Sequence, residues 1–170
     1  MPVGEPAWVL LDKERGDGLA AQLGALLSEL GTRVPDNLAD GVSIDDTNGI
    51  VHISEGATIS ACVRIEGPCF VGAGAELRHA AYLRGDSWIC SEAVVGHATE
   101  VKHSVLLPGA KAPHFNYVGD SILGRDVNLG AGCKLSNLRN DGREIRIHNL
   151  GIDTGLRKFG AILGEGVQIG

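Results

Sequence analysis

Aromatic side chains are nearly missing: three Phe, two Trp and two Tyr make up 4% of 170 residues. A wide globular core is normally filled in part by large rings, so a narrow interior is expected. Cysteine is sparse too. Cys62, Cys69, Cys90 and Cys133 form no C-x-x-C pair, which argues against a disulfide framework or a zinc site and fits reduced packing cysteines in a cytoplasmic protein. No apolar run is long enough to cross a membrane, and the N-terminus lacks the basic-then-apolar pattern of a signal peptide. Basic residues are outnumbered 15 to 21, a formal charge of −6, which argues against nucleic acid, a ligand that selects a basic face.

Glycine, in contrast, is plentiful at 25 residues, and the aliphatic residues keep a beat. Every sixth position from Ile53 is aliphatic: Ile53, Ile59, Ile65, Val71, Leu77, Leu83, Ile89, Val95, Val101. The residue four further on is mostly small, as at Ala57, Cys69, Ala75, Ala81 and Ala93. The phase slips by one residue and resumes at Leu106, Ala112 and Val118, then slips again and continues at Leu123, Leu129 and Leu135. Such hexapeptide repeats mark a parallel β-helix, in which one hexad cannot bury its apolar residue and stacked coils of three can. Gly72, Gly96, Gly119, Gly124 and Gly130 are expected to permit tight turns. Stacked positions are eighteen residues apart, or seventeen across a slip.

Before the repeat, residues 1–40 read as an extended apolar bit at Ala7 to Leu11, a helix and a linker. Asp17 is placed to cap the helix, Leu19, Leu23, Leu26, Leu27 and Leu30 share one of its faces, and Gly31 stops it. The helix is expected to shield the open end of the coil stack. Residues 41–170 form the β-helix domain. It is interrupted at about 138–158 by a loop or short hairpin with an Asn140-Asp141-Gly142 turn, and the beat returns at Leu163 and Ile169. A solenoid normally ends in a cap over its last apolar layer. None is visible after Ile169, so a neighbouring subunit or further coils are expected there.

Used as a ruler, the coil stacks Arg84 on Lys102, Glu100 on Tyr117 and His97 on His114. Two stacked cations repel unless an anion lies between them, so Arg84 and Lys102 read either as a phosphate clamp or as solvated charges with Glu100 as counter-ion. His114 lies between the two slips, where the outer surface is displaced. It reads as a general base working near neutral pH or as a structural histidine. His52, His79, His103 and His148 read as structural. Arg139, Arg143, Arg146, Arg157 and Lys158 make the interruption locally basic, as an anionic ligand or a plain solvated loop would both allow.

The run Arg84 … Glu100-Val101-Lys102 … Lys111-Ala112-Pro113-His114-Phe115-Asn116-Tyr117-Val118-Gly119-Asp120 … Asn128-Leu129-Gly130-Ala131-Gly132 resembles the acetyltransferase domain of the bifunctional sugar-1-phosphate nucleotidylyltransferase/acetyltransferases. Asn137-Leu138-Arg139-Asn140-Asp141-Gly142 and the stretch from Asp153 to Ala161 are similar to the archaeal and related bacterial branch. The resemblance implies an all-β, left-handed parallel β-helix with a short N-terminal helix. It also implies a homotrimer with active sites between subunits. The reaction would carry an acetyl group from acetyl-CoA to the amine of glucosamine- or galactosamine-1-phosphate, in UDP-GlcNAc biosynthesis, without a metal. His114 matches the general base, Arg84 and Lys102 the phosphate-holding cations, and Tyr117 and Asn128 the sugar-holding groups, with Glu100 beside them. Arg143 and Arg146 fall where the archaeal branch has lysines near the site, and Ala131, Asn137 and Leu138 match the acetyl-CoA end. No nucleotidylyltransferase motif occurs in this chain. Two other readings stand beside this one. The first is a non-catalytic trimeric β-helix that binds a sugar phosphate or sugar nucleotide. The second, a zinc β-helix of the γ-carbonic anhydrase type, is weakened because His97 and His103 are six apart and no histidine pair is five apart.

Overall fold

In the computed structural model, which describes residues 4–170, the hexads wind into a parallel β-helix with three faces, each a six-stranded sheet. Face I stacks Ser43–Asp45, Arg64–Glu66, Tyr82–Leu83, Glu100–Lys102, Tyr117–Gly119 and Lys134–Leu135. Face II stacks Val51–Ile53, Cys69–Val71, Ser87–Ile89, Ser104–Leu106, Ile122–Leu123 and Ile162–Leu163. Face III stacks Thr58–Ile59, Glu76–Leu77, Val94–His97, Lys111–His114, Asn128–Leu129 and Gln168–Ile169. The register follows the hexads: Val71 pairs with Ile89 eighteen residues on, and Val101 with Val118 seventeen on.

The interior is aliphatic. Ile53, Ile65, Leu77, Leu83, Ile89, Leu106, Leu123 and Leu129 are fully buried, among small residues such as Ala75, Ala93 and Cys69. Burying each such chain is worth about 1.5–3 kcal/mol. No aromatic ring belongs to this cluster; the rings lie outside it. All four cysteines are free thiols, and burial pushes the Cys69 thiol well up.

Five expectations change. Ala7–Leu11 is a 3-10 helix, not an extended segment. Gly18, not Asp17, caps the following helix α1 (Leu19–Leu30), and Asp17 instead pairs with Arg15. Gly31 does end α1, at φ 74°. The helix lies along face II rather than across the end of the stack. Leu11 and Leu19 bury against Val105, with Trp8 and Trp88 alongside, and beyond the other end of α1 the Gly31 carbonyl accepts from His52. Twelve helical residues span roughly 18 Å, about four rungs of a sheet, so α1 fits the height of that face. None of the five repeat glycines takes a positive φ. They are required for close approach: a Cβ on Gly72 would meet the Ser91 nitrogen at 2.7 Å, and one on Gly124 the Glu165 nitrogen at 2.8 Å. Corner conformations fall instead to residues such as Asp86, His103, Phe115 and Asp120.

The interruption is an excursion from face I. After Lys134–Leu135 the chain leaves the stack and rejoins it on face II, where Ile122 pairs with Ile162, forty residues away instead of seventeen or eighteen. It carries an antiparallel hairpin, Arg146–Ile147 with Ile152–Asp153. The hairpin turns at His148–Leu150 and Gly151, not at Asn140-Asp141-Gly142, which forms a separate turn closed by the Gly142 N–H on the Arg139 carbonyl.

Candidate functional site

Outward residues of face I form two columns, because side chains alternate along a strand. One column reads Arg64, Tyr82, Glu100, Tyr117 and Lys134, and its neighbour reads Glu66, Arg84, Lys102 and Gly119. Arg84 and Lys102 are thus stacked as the spacing requires. Arg84 also donates to Glu100 at 2.9 Å, so Glu100 is its counter-ion and raises its pKa.

A third cation, which the hexads did not reveal, completes the cluster. Lys158 is returned to face I by an antiparallel bridge with Leu138 and lies against Lys102. Burial together with Lys158 and Arg84 lowers the Lys102 pKa, and Asp120 opposes that shift. Asp120 is 2% exposed. Burial would raise its pKa, but hydrogen bonds from His103 and Asn137 outweigh that and hold it below the usual carboxylate range. From the sequence His103 read as structural and Asp120 was given no role.

Tyr117 folds over Gly119, where a Cβ would meet its hydroxyl at 2.6 Å, and donates to Asn137 at 3.4 Å. The side chain of Asn137 is therefore occupied by Tyr117 and Asp120 on face I. Leu138 beside it is exposed, and with Asp120, Leu156, Arg157, Lys158, Lys13 and Leu11 it lines a cavity of about 490 Å³.

His114 lies around the corner from Tyr117, at the end of its strand on face III. It is exposed and stands in register between His97 below and Ala131 above. The buried Asn116 fixes this corner. Its side chain accepts from the His114 N–H at 3.0 Å and donates to the Gly130 carbonyl at 2.8 Å, while its own N–H donates to Thr99. Among the described residues, no hydrogen bond or ion pair within the chain joins His114 to Arg84 or Lys102. Asn128 pairs with Lys111 at the other end of the strand. Arg143 and Arg146 line a separate basic cavity of about 630 Å³ in the excursion, together with Arg139, Arg157 and His148. The ring of His97 stacks on His79 while His103 turns into the corner beside Asp120, so the two do not converge.

The arrangement offers an anion site of three cations on face I and an accessible imidazole at the margin of the same face. The family model of the GMPPB C-terminal domain matches residues 65–170. A bifunctional sugar-1-phosphate nucleotidylyltransferase/acetyltransferase of Sulfurisphaera tokodaii is 37% identical over 136 residues, covering 79% of this chain and 33% of that protein. A protein named bifunctional protein GlmU from Methanococcus aeolicus is 32% identical over 170 residues, 99% of this chain and 38% of that protein. Another of that name, from Methanocaldococcus jannaschii, is 34% identical over 147 residues, 85% and 35% respectively. The chain thus spans about a third of the length of these curated relatives.

Proposed function

Because the chain belongs to the GMPPB C-terminal domain family, we propose that it transfers an acetyl group from acetyl-CoA to the amine of an amino-sugar 1-phosphate, glucosamine- or galactosamine-1-phosphate. The observation that carries this reading is the cation cluster of Arg84, Lys102 and Lys158 on the same face that His114 borders. The two outward columns of face I are two residues apart, roughly 7 Å along the strand. A sugar phosphate lying along a rung therefore has its phosphate against Lys102 and its ring against Tyr117 and Glu100, with its amine toward the corner.

Arg84 and Lys102 hold the phosphate dianion. His114 takes a proton from the substrate ammonium, freeing the nitrogen lone pair to attack the thioester carbonyl. The tetrahedral intermediate needs a donor for its oxyanion; it then collapses, the C–S bond breaks, and CoA leaves as the thiol with the proton. Ala131, one rung above His114, lies where the acetyl-CoA thioester must approach, and Asn137 and Leu138, at the opposite edge of face I, reach that end from an adjoining protomer. Arg143 and Arg146 reach the substrate across a homotrimer interface, and Asn128 contacts the sugar there. The chemistry requires no metal.

The test is release of free thiol from acetyl-CoA with each amino-sugar 1-phosphate. The reading expects saturable release with one of them, together with an N-acetylated product. Saturable sugar-phosphate binding without thiol release would favour the non-catalytic β-helix.

A further inference from the structure

The corner between faces I and II carries a vertical ladder that the transfer step does not use. Asp86, His103, Asp120 and Asn137 follow one another at seventeen-residue intervals, one per rung. Asp86, His103 and Asp120 take left-handed backbone conformations, at φ 63°, 42° and 46°. His103 is fully buried, and its Nδ1 lies 2.8 Å from Asp120 Oδ1. An ionised carboxylate only accepts, so Nδ1 carries the proton. Asn137 donates to the other carboxylate oxygen. His103 Nε2, however, is buried with no partner among the described residues. Leaving such an atom orphaned costs about 1–3 kcal/mol. The neighbouring rungs carry Asp86, Asp120 and Asn137, so a corner that needed only a small polar residue had cheaper solutions.

We propose that Asp120 is a positioning residue of the anion site: held by His103 from the rung below and by Asn137 from the rung above, its buried carboxylate sets the ammonium of Lys102 and, through Asn137, the hydroxyl of Tyr117. The proposal rests on the anion-site reading given above. Three charged groups act on Lys102: Arg84 from the rung below, Lys158 from the excursion, and Asp120 from the corner, whose own N–H donates to the Lys102 carbonyl at 3.0 Å; Glu100 lies two residues earlier on the same strand. Arg84 is already paired with Glu100 at 2.9 Å. Asp120 is therefore the anion that opposes the lowering of the Lys102 pKa by burial and by two other cations before substrate arrives. Its tie to His103 keeps the carboxylate from swinging out to pair with Lys102 so closely that it would compete with phosphate.

The experiment compares Asp120→Asn and Lys102→Ala with the wild-type chain in calorimetric titrations of glucosamine 1-phosphate, and follows the Lys102 side-chain titration by NMR. Asp120→Asn keeps shape, and the Asn137 amide can turn over to bond it. Asp120 raises the Lys102 pKa, so removing its charge moves the Lys102 midpoint to lower pH. Affinity for the sugar phosphate near neutral pH is expected to fall about tenfold. If Lys102→Ala weakens binding while Asp120→Asn matches wild type in both affinity and Lys102 midpoint, Asp120 has no positioning role and the anion-site reading stands. If Lys102→Ala binds as wild type, the anion-site reading itself fails and takes this inference with it. Should Asp120→Asn not fold, His103→Asn withdraws the donor while leaving Asp120 charged. Weakening of about threefold is then expected, and unchanged affinity overturns the proposal.

Discussion

His114→Ala abolishes acetyl transfer and leaves the fold intact. A positioned base contributes about 10²- to 10⁴-fold to such a step, so thiol release should fall by at least two orders of magnitude. The fold is insensitive because the imidazole is exposed and residue 114 is engaged only through its backbone, its N–H by Asn116 and its carbonyl by the Gly132 N–H. Binding of glucosamine 1-phosphate alone should change little, since the cations that hold the phosphate lie on face I. Equal rates for variant and wild type in a thiol-release assay would remove His114 from the mechanism.

Gly96→Ala has the largest expected effect on stability. Gly96 lies within Val94–His97, directly below Pro113 in the next rung, and its φ is not in the left-handed region. The position needs space: a Cβ there would overlap the Pro113 carbonyl. A clash with backbone cannot be relieved by turning a side chain, so the two rungs must separate. Overpacking of this kind costs about 1–3 kcal/mol and occasionally more, and the upper end is expected because the interior layer of Val95 and Ala112 sits beside the clash. Separation would also displace His97 and His114, one residue further along the same strands, so activity should fall with stability. Urea unfolding should show a midpoint well below wild type; a change under about 0.5 kcal/mol, the range of neutral surface substitutions, would show that the rungs tolerate the methyl group.

These two positions differ in how far the sequence exposed them. The inward column from Ile53 to Leu129 was legible because a strand has a fixed period and a buried aliphatic residue repeats with it. The same ruler put Arg84 over Lys102 and His97 under His114. It gave no means of telling a turn glycine from one held by close approach, and Gly96 was the second kind. Amphipathic spacing identified α1 and its buried leucines but not the surface they bury against, which proved to be the flank of face II. Lys158 was legible only as one charge of a basic segment because the excursion breaks the period, and its return beside Lys102 depends on a bridge to Leu138 across twenty residues. His103 and Asp120 were hidden differently. Their seventeen-residue separation was readable, but only the left-handed corner conformation turns both side chains toward each other in the interior.

In the proposed reaction one substrate molecule bridges the cation cluster and His114. A crystal structure of the chain with glucosamine 1-phosphate and CoA tests it most directly. The phosphate is expected against Arg84 and Lys102, with the sugar amine within about 3.2 Å, hydrogen-bond reach, of a ring nitrogen of His114 from the same or an adjoining protomer. A sugar phosphate seated on those cations with every His114 ring out of reach of its amine would contradict it.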